Sequence, residues 1–336
     1  MATTTPTATA SGAFTCADPP GIDVSASLNA CLALVPMGAT WDGGGKTYMV
    51  DEGITVPHTM ALTNATFVDH AALANLAGLH MPPIITVQRV DGVVLSDLNI
   101  YGKHSTGGTA GRYQASQAGI RLRSANNVTI TRVQTFDTWG DGLEATANSS
   151  VARLDNRPVT NLLVRGFTST RAGRDCLTGG EVFNSVLDHV TCIENGRAAI
   201  NFETDSPNSG SGNVTISNCS SGSIHFLEYL YGPMTVENCT GLHDLMIASG
   251  HTAMPLTITI ADTTMTCQRR SPVPCILQTS GHVVLRHDTI GRKPGPSVVT
   301  DSALWVTRGG TMSVQGSIVS PIVGGADSSS TLTFTP

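Results

Sequence analysis

Five short segments between Gly119 and Leu230 repeat one pattern of apolar and polar positions: Gly119-Ile-Arg-Leu-Arg123, Gly142-Leu-Glu-Ala-Thr146, Cys176-Leu-Thr-Gly-Gly180, Asn201-Phe-Glu-Thr-Asp205 and Phe226-Leu-Glu-Tyr-Leu230. The second residue of each is apolar and the third is usually polar or charged, the period-two signature of a strand with one wet face. In register, the third position becomes a column of Arg121, Glu144, Thr178, Glu203 and Glu228. Parallel strands stand roughly 4.8 Å apart, so Glu203 and Glu228 fall on adjacent rungs and Glu144 lies about two rungs, roughly 10 Å, from Glu203. Like charges directly opposite one another destabilise a sheet. Such a column is either solvated, occupied by a cation, or used for its raised proton affinity.

The pattern extends well beyond these five segments. From Ile84 the chain cycles about every 20 to 34 residues through short strands, turns and a variable loop. Further strands are predicted at Val93, Val128, Leu162, Val186, Val214, Met234, Leu256, Val283 and Met312. Asp97, Arg132, Asp188, Asn218, Asn238, Asp262 and His287 follow them, as a tight corner requires. This is an all-β solenoid of roughly ten coils. Insertions at Tyr101 to Ala118, Ala147 to Val159 and Thr204 to Asn213 would rim a groove beside the column. The organisation predicted is a flexible tail over 1–13, a cap and first coils over 14–83, and repeats with a C-terminal cover over 84–336.

Ahead of the repeats, Leu28, Cys31, Leu32 and Val35 mark one face of a short helix, with Asp23 or Ser25 as N-cap and Pro36 and Gly38 ending it. Gly43-Gly-Gly-Lys-Thr-Tyr48 and Ile54-Thr-Val-Pro57 then feed the first strands. Together with Gly21-Ile-Asp23, this stretch resembles the N-terminal cap of the pectate-lyase-like superfamily, which includes polygalacturonases, pectate lyases, alginate epimerases and phage tailspikes. The likeness covers about residues 18 to 57, and departs from the usual Asp-Asp-Thr at Asp23-Val-Ser25. It implies a single-stranded right-handed parallel β-helix with a helical cap.

Glu144, Glu203 and Glu228, joined by Asp205, are the first candidates for chemistry. Two carboxylates flanking a bond are what glycoside hydrolysis needs, about 5 Å apart for retention and roughly 6.5 to 9.5 Å for inversion. Asp141 and Asp175 form a second column three residues earlier. Gly140-Asp-Gly-Leu143 resembles acid-bearing segments of polygalacturonase-like coils, although Asp-Gly is also a routine turn. Arg121, Arg123, Arg174 and Arg197 would bind substrate oxygens or a sugar carboxylate, and Trp139, Tyr229 and Tyr231 could stack on sugar rings. The resemblance also allows a lyase or epimerase, in which carboxylates hold calcium against an acidic sugar and a cation removes a proton. No cofactor is otherwise expected. The histidines follow no metal spacing, and Gly43-Gly-Gly-Lys-Thr47 lacks the spacing of a phosphate loop.

Composition narrows the partners. Only 13% of residues are charged and 5% are aromatic, and the net charge of -6 argues against nucleic acid. No stretch is long and apolar enough to cross a membrane. Eight cysteines fall into near pairs, Cys16/Cys31, Cys176/Cys192, Cys219/Cys239 and Cys267/Cys275, better suited to disulfides and an oxidising compartment than to zinc. The first ten residues do not read as a signal peptide. The protein is therefore expected to be secreted after processing, or carried in a virion. The sequence reading is a polysaccharide-active glycoside hydrolase. Its alternatives are a calcium-assisted lyase or epimerase, a trimeric phage tailspike where the hydrolase would be a monomer, and a structural β-helix whose acidic column is only a solvated face.

Overall fold

Each long strand of the chain hides a change of phase. In Val94–Tyr101 the buried side chains are Leu95, Leu98 and Ile100, and the three-residue step between the first two spans Asp97, whose backbone is left-handed at φ 54°. The same step recurs at Asn64 between Leu62 and Ala65, at Arg132 between Ile130 and Val133, and at Gly166 between Val164 and Phe167. The corner therefore falls two residues after an inward apolar residue, turning the chain while keeping the next apolar residue inside. Asn and Asp tolerate this conformation and Gly adopts it freely. The sequence expectation of a corner at Asp188 is corrected by this rule. Leu187 and Val190 are the inward pair, and His189, at φ 55°, makes the turn.

The computed structural model describes residues 6–9, 12–17, 23–69, 82–102, 117–147, 157–203, 210–222, 224–228, 231–243, 245–248, 257–267, 276–278, 281–292, 304–306, 308, 310–320, 324–326 and 328–335. The fold is the predicted parallel β-helix, and the chain divides into two units. The first holds residues 1–178 with 193–197. One of its sheets stacks Thr40–Met49, Ala61–Val68, Val94–Tyr101, Thr129–Phe136 and Leu163–Thr170. The other stacks Ile54–Thr55, Ile85–Gln88, Ile120–Arg123 and Leu143–Thr146, followed by Asp175–Gly179. Thr7–Ala8, within the span read as a tail, pairs antiparallel with Phe14–Thr15.

Trp41, Leu62, Leu95, Ile130 and Val164 form one buried column through the first unit. Fully burying side chains of this size stabilises the fold by about 1.5–3 kcal/mol each. A neighbouring column runs from Tyr48 through Phe67 and Ile100 to Thr135 and Ser169, becoming polar beneath the site described below. There the facing backbone closes in. A Cβ on Gly142 would lie 2.4 Å from the Ser169 hydroxyl and 2.6 Å from the Cys176 carbonyl oxygen, so only glycine fits.

The cap helix spans Ser25–Leu32 and buries Leu28, Cys31 and Leu32. Its N-cap is Val24, not the expected Asp23 or Ser25, and carries no side-chain cap; Asp23 Oδ1, one residue earlier, accepts from the main-chain N–H of Ser25 and of Asp51. The Cys16–Cys31 disulfide ties this helix to the chain before it.

In the second unit, 179–192 with 198–336, three parallel stacks recur. One contains Gly212–Ser217, Met234–Glu237, Thr257–Ala261, His282–Arg286, Thr311–Gln315 and Thr331–Thr335, with left-handed corners at Asn218, Asn238, Asp262, His287 and Gly316. Cys219 and Cys239, on successive coils, are bridged. Cys176 and Cys192 are each disulfide-bonded, whereas the pairing of Cys267 with Cys275 lies outside the described residues. Among the described residues no helix is long and apolar enough to cross a membrane.

Candidate active site

Three successive turns of the first unit build a charged cluster. Each opens on a left-handed residue, Asp137, Arg171 or Glu194. Main-chain hydrogen bonds lock the turns in register: Gly173 N to Thr138 O at 2.7 Å, Arg174 N to Gly140 O at 3.1 Å, Gly196 N to Ala172 O at 2.9 Å and Arg197 N to Arg174 O at 2.7 Å. Trp139-Gly-Asp141, Gly173-Arg-Asp175 and Gly196-Arg197 thus occupy equivalent places. Arg171 donates twice to Asp137, at 2.7 and 2.8 Å, fixing the corner outside the cluster. Gln117 anchors the first turn from the preceding coil. Its side-chain oxygen accepts from Trp139 N and its main-chain oxygen from Gly140 N, both at 2.8 Å, and its amide donates to Asp69.

The consequence is that each arginine reaches back one coil to an aspartate. Arg174 Nη1 lies 3.3 Å from Asp141 Oδ2, and Arg197 Nε lies 3.1 Å from Asp175 Oδ1. Asp175 also accepts from the Thr178 hydroxyl at 3.1 Å, and Arg174 Nε stands 3.5 Å from its Oδ2. The Asp175 main-chain N–H donates to Asp141 Oδ1 at 3.1 Å. Both aspartate side chains are 0% exposed.

Burial pushes the Asp141 carboxyl up to about 8; the Arg174 cation opposes the rise and the neighbouring Asp175 and Glu144 charges add to it. Burial thus favours the protonated form of Asp141.

Glu144 is held differently. It lies opposite Arg121 in the strand register, as the sequence column required. Arg121 places Nε 2.7 Å and Nη2 2.6 Å from its Oε2, and Arg123 Nη2 approaches Oε1 at 3.8 Å. This guanidinium grip fixes the orientation of the Glu144 carboxylate. The solvent-facing members of the cluster are Arg123 and Arg197, whose side chains are 27% and 35% exposed.

The structure thus brings together Arg121, Arg123, Glu144, Asp141, Asp175, Arg174 and Arg197. Trp139 stands in the first turn but is buried, leaving little face for a sugar. Glu203 and Glu228 belong to the second unit, where Asn201 pairs with Phe226 and Phe202 with Leu227, so the two glutamates follow at one level. Tyr231 is also there, its N–H bonded to Ser211 O at 2.7 Å. Asp205, Tyr229 and the Glu228 side chain lie outside the described residues. Among the described residues no group of three or more His, Cys, Asp or Glu is placed to hold a metal. Sequence reasoning missed Gln117, Asn195 and the pairing of Arg174 with Asp141. Asn195 Oδ1 accepts from Ala172 N at 3.0 Å and supports the second turn. The available signal was the recurrence of Gly-Arg at 173–174 and 196–197 against Trp-Gly at 139–140.

The parallel β-helix fold is shared with solved structures of low sequence identity. The chain is similar over its whole length to an endo-xylogalacturonan hydrolase from Aspergillus tubingensis, at 13% identity and a TM-score of 0.55 with 96% of that chain covered. It is likewise similar to the A-module of a mannuronan C-5 epimerase from Azotobacter vinelandii, at 14% identity, TM-score 0.51 and 94% of each chain. A surface adhesin of Streptococcus pneumoniae matches at 10% identity and TM-score 0.53, over 93% of this chain and 87% of the adhesin. No protein-family model and no curated protein sequence matches the chain.

Proposed function

We propose that this protein binds and hydrolyses a polysaccharide at the charged cluster of its first unit, with Asp141 as proton donor and Asp175 as the general base. The observation that carries the reading is the unequal partnering of two buried acids on equivalent turns. Asp141 is pushed up to about 8 by burial, while Asp175 is held by Arg197, Thr178 and Arg174. Environments that separate two carboxyls in this way mark acid and base assignments. In the reaction, the Asp141 proton passes to the glycosidic oxygen as its bond to the anomeric carbon breaks, and Asp175 takes a proton from the water that replaces it. Glu144, fixed by Arg121, adds negative charge near the developing oxocarbenium. Arg123 and Arg197 contact sugar hydroxyls or a sugar carboxylate. The neighbours named as a hydrolase and an epimerase support a carbohydrate substrate, and the disulfides support an oxidising, extracellular setting.

A second reading rests on the absence of exposed surface on Asp141 and Asp175. In it the aspartate and arginine ladder is structural, and the outward arginines bind a glycan without cleaving it, as an adhesin would. The test is reducing-end release, together with ultraviolet absorbance of any unsaturated product, on a polysaccharide panel with wild type and Asp141→Asn. Reducing ends without absorbance, lost in the variant, support hydrolysis. Absorbance that depends on calcium moves the chemistry to a lyase. Binding to the panel with no product from either protein supports the second reading.

A further inference from the structure

We propose that Arg174 is a positioning residue that couples the Asp141 and Asp175 carboxyls through one shared guanidinium. The inference rests on the reading of that pair as proton donor and general base. One guanidinium spans both coils, Nη1 toward Asp141 at 3.3 Å and Nε toward Asp175 at 3.5 Å. It cannot drift far, because the Arg174 main chain is bonded on both sides, to Gly140 O and from Arg197 N. Its side chain is only 15% exposed, so water screens its charge weakly.

What faces each acid is unequal. Asp175 meets Arg174, a second cation in Arg197, and the Thr178 hydroxyl. Asp141 meets Arg174, one main-chain N–H, and the negative charges of Asp175 and Glu144, the latter already held by Arg121 and Arg123. Two neighbouring carboxyls in a buried site do not both ionise readily. With Arg174 between them, one proton leaves the group of three neutral. Without that cation the pair retains a second proton to higher pH, and Asp175 loses its role.

The test has two arms. The first is a carbon-13 NMR titration of aspartate-labelled wild type, Asp141→Asn, Arg174→Gln and Arg174→Lys, which needs no turnover. Wild type should show one protonated buried carboxyl at neutral pH, absent from Asp141→Asn. Arg174→Gln should show a second, raised by at least about one pH unit relative to wild type. The second arm is the pH–activity profile, in which both limbs of Arg174→Gln should move to higher pH by a similar amount. Should Arg174→Gln fail to fold, Arg174→Lys keeps a cation that cannot span both carboxyls, and one limb alone should move. Identical carboxyl titrations in wild type and the folded variants overturn the proposal. So does a rise in KM with unmoved limbs, which would make Arg174 a substrate contact. An Asp141 carboxyl that is ionised at neutral pH in wild type sinks the functional reading itself.

Discussion

Asp97 and Asp141 sit in the same unit, and each is paired with an arginine one coil further on, yet the two acids behave oppositely. Arg132 grips Asp97 with two short contacts, 2.6 and 2.8 Å, and the hydrogen bond from Arg132 holds that carboxyl below its ordinary value. Arg174 stands 3.3 Å from Asp141, whose carboxyl rises to about 8. The side chains of Asp97 and Arg132 are 43% and 66% exposed, whereas Asp141 has no exposed surface. An arginine neighbour therefore does not by itself decide where the proton sits. At the outer corner water solvates the carboxylate and the hydrogen bonds add to that. In the turn of the site the lost solvation outweighs one longer ion pair, and two further acids deepen the deficit.

The largest expected effect follows from the buried member. Asp141→Asn keeps the shape of the neutral acid but cannot give up a proton, and removing a general acid costs about 10²–10⁴-fold in rate. Reducing-end release on a cleaved substrate should fall by that much, while the far-ultraviolet dichroism of the variant stays native. A loss under tenfold would show that Asp141 is only a structural member of the ladder.

Next in size is the pH dependence of stability. Asp141 binds its proton more tightly folded than unfolded, so its contribution is complete below about pH 4 and is lost as pH rises toward 8. Asp288 in the second unit has the same sense: burial lifts it to about 7, although the N–H groups of Thr263 and Arg286 donate to it. Wild type should therefore lose stability between about pH 4 and 8, by an amount on the order of a few kcal/mol from such buried acids. Asp288→Asn should flatten the lower part of that fall, to about pH 7, and should also lose one main-chain hydrogen bond, worth about 1 kcal/mol. Urea titrations at several pH values separate the two, since the first changes the slope and the second the level.

How much of this was legible in the sequence follows the same division between local and long-range causes. The strands and most corners were readable because alternation and turn chemistry are local: Asp97, Arg132, Asn218, Asn238, Asp262 and His287 are all left-handed. Asp188 was misplaced by one residue because it is as good a turn former as His189. Only the inward spacing of Leu187 and Val190 distinguishes them. The pairing of Arg121 with Glu144 was legible from the apolar register, and the structure keeps it. The approach of Arg174 to Asp141 was not, since it depends on how two turns 33 residues apart overlay. Burial of Asp141 was hidden for the same reason: Gly140-Asp-Gly142 reads as an exposed turn until Gln117 and the facing coil close over it.

Beside the His189 corner of the second unit, Asp188 tests the comparison more gently. The Asn218 amide donates to its Oδ1 at 2.8 Å and is the leading cause of a carboxyl held down at about 2, with His189 and Ser217 adding to it. A depressed acid contributes stability above about pH 4 that is lost as pH falls toward 2. Asn218→Ala should therefore raise the midpoint of acid unfolding by a few tenths of a pH unit, roughly the influence of one partly exposed hydrogen bond. Unchanged stability near neutral pH in the same variant would require that the Asn218 backbone remain left-handed, which alanine adopts at some cost. Asn218→Gly relieves that strain, and the acid shift should persist in it.

The smallest effect belongs to the member of the comparison with the shorter contacts. Arg132 and Asp97 meet in good geometry, but both ends are wet, and exposed ion pairs contribute little once side-chain ordering and salt screening are counted. Asp97→Asn keeps a residue that tolerates the left-handed corner at φ 54° and removes only the charge. Its melting temperature at neutral pH should stay within about 2 °C of wild type, and added salt should shrink even that difference. The variant should also lose its share of the acid-side titration, because Asp97 is held below its ordinary value by the Arg132 hydrogen bond and contributes stability that disappears as pH falls. A drop of many degrees, unaffected by salt, would mean that water does not reach this corner as its exposure indicates. The contrast with Asp141 would then rest on hydrogen-bond geometry and not on solvation.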